Sequence, residues 1–405
     1  MERPSSTQTT TVWRDRRAIA LLMAAMLTTM ANATISPALP GLQRLFAGEP
    51  HAALLTRMLV TAPSLSVALF APFTGIAADR FGRRPLLIGG VILFALAGSS
   101  GLVLADLRAI FASRLVLGIA VALIMTAQTA LVGDYFSGSD RNAMTGLQIA
   151  ARNFGGFLFI SIAGWVAALS PRLPFAIYAL AALFLPLMWI VITDVAQRPT
   201  AVRIDHGSGG GSPTAWRLLF AGLVLLQALT NLLFFIVPTQ LPFFFASESS
   251  SGAVMTGSAL SILMLTGGCV ALLYRRIQAT IGYAGVFGLG YAAMAFGFSL
   301  LILPGHAMLA FAGAAAIGTG YALVSPSFVA LALDLAPADK RGMAGGILTA
   351  SVFVGQFCSP LLTTPILAAA GFSGLFGGAA LVLAAMALIA AAGGVVQRLR
   401  MVVQL

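Results

Sequence analysis

The sequence predicts an all-α membrane protein of twelve transmembrane helices in two six-helix halves related by pseudo-twofold symmetry, and three observations predict it. Of 405 residues, 59% are hydrophobic and 9% charged, with a mean hydropathy of +0.97; a water-soluble core cannot hide that much apolar surface, so lipid is part of the solvent. Uncharged runs of about 20 residues, the helical length that spans ~30 Å of hydrocarbon, recur along the chain. An ungapped shift of 200 residues pairs Gly82 with Gly282, Gly90 with Gly290, Gly118 with Gly318, Asp134 with Asp334, Arg141 with Arg341, Gly146 with Gly346 and Gly155 with Gly355. Such a match points to internal duplication, six helices plus six.

The spans are expected at 18–41, 53–78, 85–105, 108–133, 142–168, 174–194, 217–245, 253–274, 283–303, 307–333, 342–369 and 373–396. Arg14, Arg16 and Arg17 precede the first, whose uncharged run from Ala18 to Gln43 is too long for a cleaved signal and reads as a retained span. Two double-length runs are divided by their Gly and Pro residues, one near Pro304-Gly305-His306 and one at Gly371-Phe372-Ser373-Gly374. The segment 195–216, Gly/Ser-rich at His206-Gly207-Ser208-Gly209-Gly210-Gly211-Ser212-Pro213, is expected to be a flexible cytoplasmic linker between the halves 18–194 and 217–396, with tails at 1–17 and 397–405.

With the N-terminus inside, seventeen Lys and Arg residues fall in cytoplasmic segments and three, Arg44, Arg108 and Arg172, in outer loops. The positive-inside rule then places both termini in the cytoplasm, and the plasma (inner) membrane is the expected location. The net charge of +11 is distributed in short clusters between apolar runs, as membrane topology distributes it, and does not point to nucleic acid. Cys269 and Cys358 lie inside apolar runs and suggest no disulfide framework.

The densest charge in the first half is Gly75-Ile76-Ala77-Ala78-Asp79-Arg80-Phe81-Gly82-Arg83-Arg84. Gly82 permits a tight turn, and Arg80, Arg83 and Arg84 can anchor it at an anionic leaflet. The spacing Gly-x-x-x-Asp-Arg-x-Gly-Arg-Arg resembles the signature loop between the second and third helices of the major facilitator superfamily of secondary transporters. The resemblance covers essentially the whole chain. It implies halves related by an axis along the membrane normal. It also implies that Asp79 faces the start of the eleventh helix at Lys340-Arg341-Gly342, making Gly75, Asp79, Arg80, Gly82, Arg83, Arg84, Asp134 and Arg341 an inner gate and latch. The second copy, Tyr274 to Tyr283, has Ala279 in place of the acid, so the latch is one-sided; a basic turn that only sets topology is the alternative.

Arg114, followed four residues later by Gly118, matches the family's fourth-helix pattern, in which the arginine is associated with proton coupling. Otherwise it snorkels outward, as Arg57 is expected to do, or is met by backbone carbonyls, water or an anion. Arg152 should lie about 15 Å deep, beside Asn153 and on one helix face with Gln148, suited to an anionic or polar substrate group or else held by carbonyls and water. The end of the first span, Met30 to Pro40, is similar to the first-helix pattern of drug exporters, with Asn32 where many carry aspartate. Gln227, Asn231, Phe234 or Phe235, and Pro238 share a face of the seventh span. Tyr321 and Ser325 on the tenth span and Gln356 on the eleventh complete the substrate-binding candidates, each of which could instead make an interhelical hydrogen bond.

The antiporter signature of the fifth helix is missing: Gly155 to Gly164 keeps glycines without the proline, which appears as Pro360 after Gly355 on the eleventh. All twelve acids and three histidines fall in tails, loops or helix ends. The leading expectation is a monomeric secondary transporter working by alternating access and exporting small amphipathic organic compounds or metabolites, with protons as the possible coupling ion. An organic-anion or metabolite exchanger or uniporter using Arg152 is one alternative, a non-transporting receptor or scaffold another. No enzyme motif, cofactor site or metal cluster is recognised.

Overall fold

The computed structural model describes residues 15–194, 213–249, 251–303, 307–337 and 340–403. The tail before Asp15, the linker core at 195–212 and the break at 304–306 lie outside the described residues, as does the end of the C-terminal tail. The chain divides into two compact units, Met1–Val202 and Arg203–Leu405.

The first unit holds α1 (Arg16–Leu45), α2 (Ala52–Phe81), α3 (Arg83–Leu102), α4 (Leu107–Tyr135), α5 (Gly138–Leu169) and α6 (Pro174–Val191). Carboxylates start two of them: Asp15 accepts from the Arg17 amide at 2.8 Å, and Asp106 from the Arg108 amide at 2.9 Å. Each satisfies a donor that the first helical turn leaves without a partner. Glu49, in the α1–α2 connection, accepts from the Leu107 amide and covers a third. Near its end α1 loosens into a 3-10 turn at Ser36–Ala38, around Pro37.

The second unit holds α7 (Trp216–Glu248), α8 (252–281), α9 (283–300), α10 (Ala307–Leu335), α11 (341–370) and α12 (372–403). Gly282, with φ of +68°, separates α8 from α9, and Gly371, with φ of +67°, separates α11 from α12. The second break falls where the sequence predicted it. The first differs in extent: the helix expected to end at 274 continues through Arg275 and Arg276 to Ile281. Arginine is a good helix former, so charge alone does not end a helix; the left-handed residue does.

The repeat seen in the sequence is also a repeat in packing. A Cβ at Gly118 on α4 would collide with the Pro63 carbonyl and the Ser66 side chain of α2, and one at Gly318 on α10 with the Leu263 carbonyl of α8. Gly90 on α3 meets Ala120, Leu123 and Ile124 of α4, while Gly290 on α9 meets Gly320, Leu323 and Val324 of α10. Gly155 on α5 abuts Met26 of α1, and Gly355 on α11 abuts Ala228 of α7. Helices in lipid gain no hydrophobic drive from meeting each other, so close backbone approach through small residues supplies their dispersion energy. Large side chains such as Phe73, Leu96, Ile190, Leu225, Leu272 and Ile389 point outward and exposed, as lipid-facing residues do.

Candidate functional site

The α2–α3 turn is tied down inside the first unit. Gly82 adopts φ of +89°, a conformation side chains resist, and lets the chain reverse between Phe81 and Arg83. The Asp194 carboxylate, just past α6, accepts from the backbone amides of Arg83 at 2.9 Å and Arg84 at 2.8 Å. It thereby caps α3 from more than a hundred residues away in sequence. Arg83 also forms an ion pair with Asp134 near the end of α4. Arg84 donates to the Trp189 carbonyl at 2.8 Å and lies over the Trp189 ring. Next to this junction the Tyr135 hydroxyl donates to the Thr193 carbonyl and accepts from the Thr193 amide, and Arg17 sits over the Tyr135 ring.

Of the predicted latch residues, Gly82, Arg83, Arg84 and Asp134 are thus brought together. Arg80 is exposed over the Phe81 ring, and a Cβ at Gly75 would meet nothing within 4 Å. Asp79 is exposed and forms no ion pair with the described residues of its own unit. Arg341 opens α11 in the other unit and is exposed. Asp194 was missed by the sequence reading, because nothing local marks a carboxylate at a helix end as the cap of a distant helix.

Arg114 does not snorkel. It is fully buried, with Nη2 donating to the carbonyls of Ala97 and Gly98 near the end of α3, and its guanidinium lies 4.8 Å from the Phe175 ring centre and 4.7 Å from that of Tyr178 on α6. Carbonyls and two ring faces meet the charge, a known way to hold a cation in a medium of low dielectric. Arg57 turns toward the end of its helix, donating to the Gln43 side chain and the Ala53 carbonyl.

Arg152 lies near the middle of α5 and is largely buried, and its Nε has no hydrogen-bond partner. One turn earlier, Gln148 has a buried Nε2 that is equally without a partner. Asn153, beside them, donates to the Ile149 carbonyl of its own helix. Asn32 on α1 donates to the Ser64 hydroxyl of α2 at 3.4 Å. Gln128 on α4, which the sequence reading passed over, is 1% exposed with both amide atoms lacking partners. A lone glutamine in an apolar run looks the same in sequence whether or not a bond awaits it.

In the second unit, two of the candidates named on separate helices join in an interhelical hydrogen bond. The Tyr321 hydroxyl on α10 donates to Asn231 Oδ1 on α7 at 2.9 Å, and Asn231 Nδ2 donates to the Gln227 carbonyl at 2.9 Å. The rings of Phe234 and Tyr321 stack with centres 3.9 Å apart, and Ser325 is half-buried one turn further along α10. Gln227 is buried with Oε1 lacking a partner. Gln356 is buried on α11 and has a partner of its own. Acids among the described residues stand only at helix ends and connections, and no three of the described His, Cys, Asp and Glu residues group as a metal site would require.

The fold is shared widely. The inward-open xylose transporter XylE from E. coli superposes with a TM-score of 0.73 at 18% identity, over 94% of this chain and 95% of that one. A point mutant of the nucleoside transporter NupG superposes with a TM-score of 0.71 at 14% identity, over 94% and 99%. In sequence, Multidrug resistance protein 1 of Bacillus subtilis is 23% identical over 311 residues, 75% of this chain and 78% of that protein. Quinolone resistance protein NorA of Staphylococcus aureus is 22% identical over 314 residues, 75% and 79% of the two chains. The model of the Major Facilitator Superfamily matches residues 21–284, well over half the sequence, with the α2–α3 turn inside the matched region. The chain therefore belongs to the Major Facilitator Superfamily and is a multi-pass membrane protein with that family's transporter fold.

Proposed function

We propose that the protein is a secondary transporter exporting small amphipathic organic compounds by alternating exposure of a site to the two sides of the membrane. The observation that carries this reading is a set of buried polar atoms without partners in otherwise apolar helices: Gln148 Nε2 and Arg152 Nε in one unit, Gln227 Oε1 in the other. A buried polar atom with no partner costs about 1–3 kcal/mol, a cost a chain has reason to retain where a solute supplies the missing bond. The apolar and aromatic side chains around the second-unit cluster suit an amphipathic solute. The names of the two drug-resistance relatives support the outward direction.

The charge asymmetry supports a plasma-membrane orientation with both termini in the cytoplasm. The same proposal takes 18–194 and 217–396 as the two transport halves and the protein as a monomer. It keeps Asp79 as the latch carboxylate. Expression in a bacterial host stripped of its own exporters tests the reading. Lower steady-state accumulation of amphipathic dyes than in cells with an empty vector is expected; equal accumulation of cationic, neutral and anionic dyes in both strains would leave the receptor or scaffold alternative. Asp79→Asn should change the labelling of single cysteines placed at the α2–α3 end, and unchanged labelling would remove the latch.

A further inference from the structure

The Gln148–Arg152 face of α5 sets an amide donor without a partner one turn from a guanidinium whose Nε also has none. Arg114 is met by two carbonyls and two rings, and Arg57 by a carbonyl and an amide oxygen. Arg152 has neither: among the described residues it has no hydrogen bond and no ion pair. The nearest acid along its own helix is Asp140, twelve residues and about 18 Å away along the axis. The other described acids of the unit, Asp15, Glu49, Asp79, Asp106, Asp134 and Asp194, stand at helix ends or in connections. An arginine that cannot lose its charge, one turn from an amide donor, calls for a ligand that brings both acceptors and a negative charge.

We infer that this face binds the anionic group of an amphipathic organic monoanion, and that the protein works chiefly as an exchanger of such anions. The inference rests on the transporter reading and names its substrate class. Carboxylate and sulfonate share the required chemistry, two or three oxygens able to accept from the guanidinium and from Gln148 Nε2 together. Exchange follows from the charge. When the site closes with an anion bound, the cation of Arg152 is neutralised; when it closes empty, an unpaired charge is sequestered from water, which is strongly unfavourable. The return of the empty carrier is then the slow step, and a second anion on the far side removes it.

Purified full-length protein tests this with 2-naphthalenesulfonate, 2-naphthoate and the neutral 2-naphthamide as probes. Both anions should raise the midpoint of thermal unfolding in detergent in a saturable way, and the amide should not. The shift should vanish in Arg152→Gln and shrink in Gln148→Leu, with the midpoint of each unliganded variant reporting that it folds. In proteoliposomes loaded with 2-naphthalenesulfonate, efflux should rise at least tenfold when the same anion is supplied outside, and Arg152→Gln should abolish that stimulation. Equal stabilisation by the amide, or stabilisation by anions that survives Arg152→Gln, would overturn the anion site. Efflux indifferent to external anion would overturn exchange. If cationic or neutral dyes are transported while no naphthalene anion binds, this inference fails and the transporter reading stands; if nothing is transported, both fail.

Discussion

The Arg83 guanidinium is paired with the Asp134 carboxylate, joining the first turn of α3 to the last turn of α4 within one unit. Both side chains are 20% exposed, so the pair contributes about 1 kcal/mol rather than the larger sums of a buried bridge. The Asp194 carboxylate adds a cap on the same turn, also about 1 kcal/mol. Asp134→Asn and Asp194→Ala should each lower the unfolding midpoint modestly. Because both carboxylates act on Arg83, the double variant should lose a different amount from the sum of the two. Additive losses in a double-mutant cycle would show that the two contacts act independently.

The glycine contacts predict a sharp contrast. Alanine at Gly118 or Gly318 must push a backbone carbonyl aside, with an expected loss of about 1–3 kcal/mol in each unit. Alanine at Gly89, one residue before Gly90, meets nothing within 4 Å and should be neutral or slightly stabilising. Thermal unfolding of the three variants checks this, and equal behaviour would contradict the packing repeat.

Burial of Arg114 between two rings gives it a structural role whatever its part in transport. Arg114→Ala removes the stack and the donor to the Gly98 carbonyl, while the Ala97 carbonyl keeps the Ser100 hydroxyl, and should cost about 3 kcal/mol. Lysine should rescue little, since an ammonium cannot lie flat between the Phe175 and Tyr178 rings. A variant that loses transport at unchanged unfolding midpoint would assign the residue to coupling instead.

How much of this was legible in the sequence depends on the range of the contacts involved. Apolar run length fixed the spans to within a few residues at most of their ends, and Gly371 marked its break, because these are properties of short windows. The extension of α8 to Ile281 was not legible, since Arg275 and Arg276 look like a loop by charge and like a helix by propensity. Tyr321 and Asn231 could be named as polar residues on two helices, but their hydrogen bond spans 90 residues of sequence. The cap by Asp194 was hidden for the same reason. The missing partners of Gln148 and Arg152 could only be recognised once every neighbour was placed.

Tyr321→Phe tests whether that second-unit cluster binds solute or only joins helices. The stack on Phe234 survives the change, while Asn231 Oδ1 loses its donor, at a cost of about 1 kcal/mol in stability. A role in binding predicts in addition an apparent affinity changed several-fold for transported compounds. An unchanged affinity would leave the hydrogen bond purely structural.

The most direct test of transport itself is flux in liposomes containing only this protein. Purified protein is reconstituted with cationic, neutral and anionic amphipathic dyes trapped inside, and release is followed with and without a pH gradient. At least one dye should leave several-fold faster than from protein-free liposomes, with a rate that saturates as its concentration rises. Release indistinguishable from protein-free liposomes for every dye, in either gradient, would contradict the account.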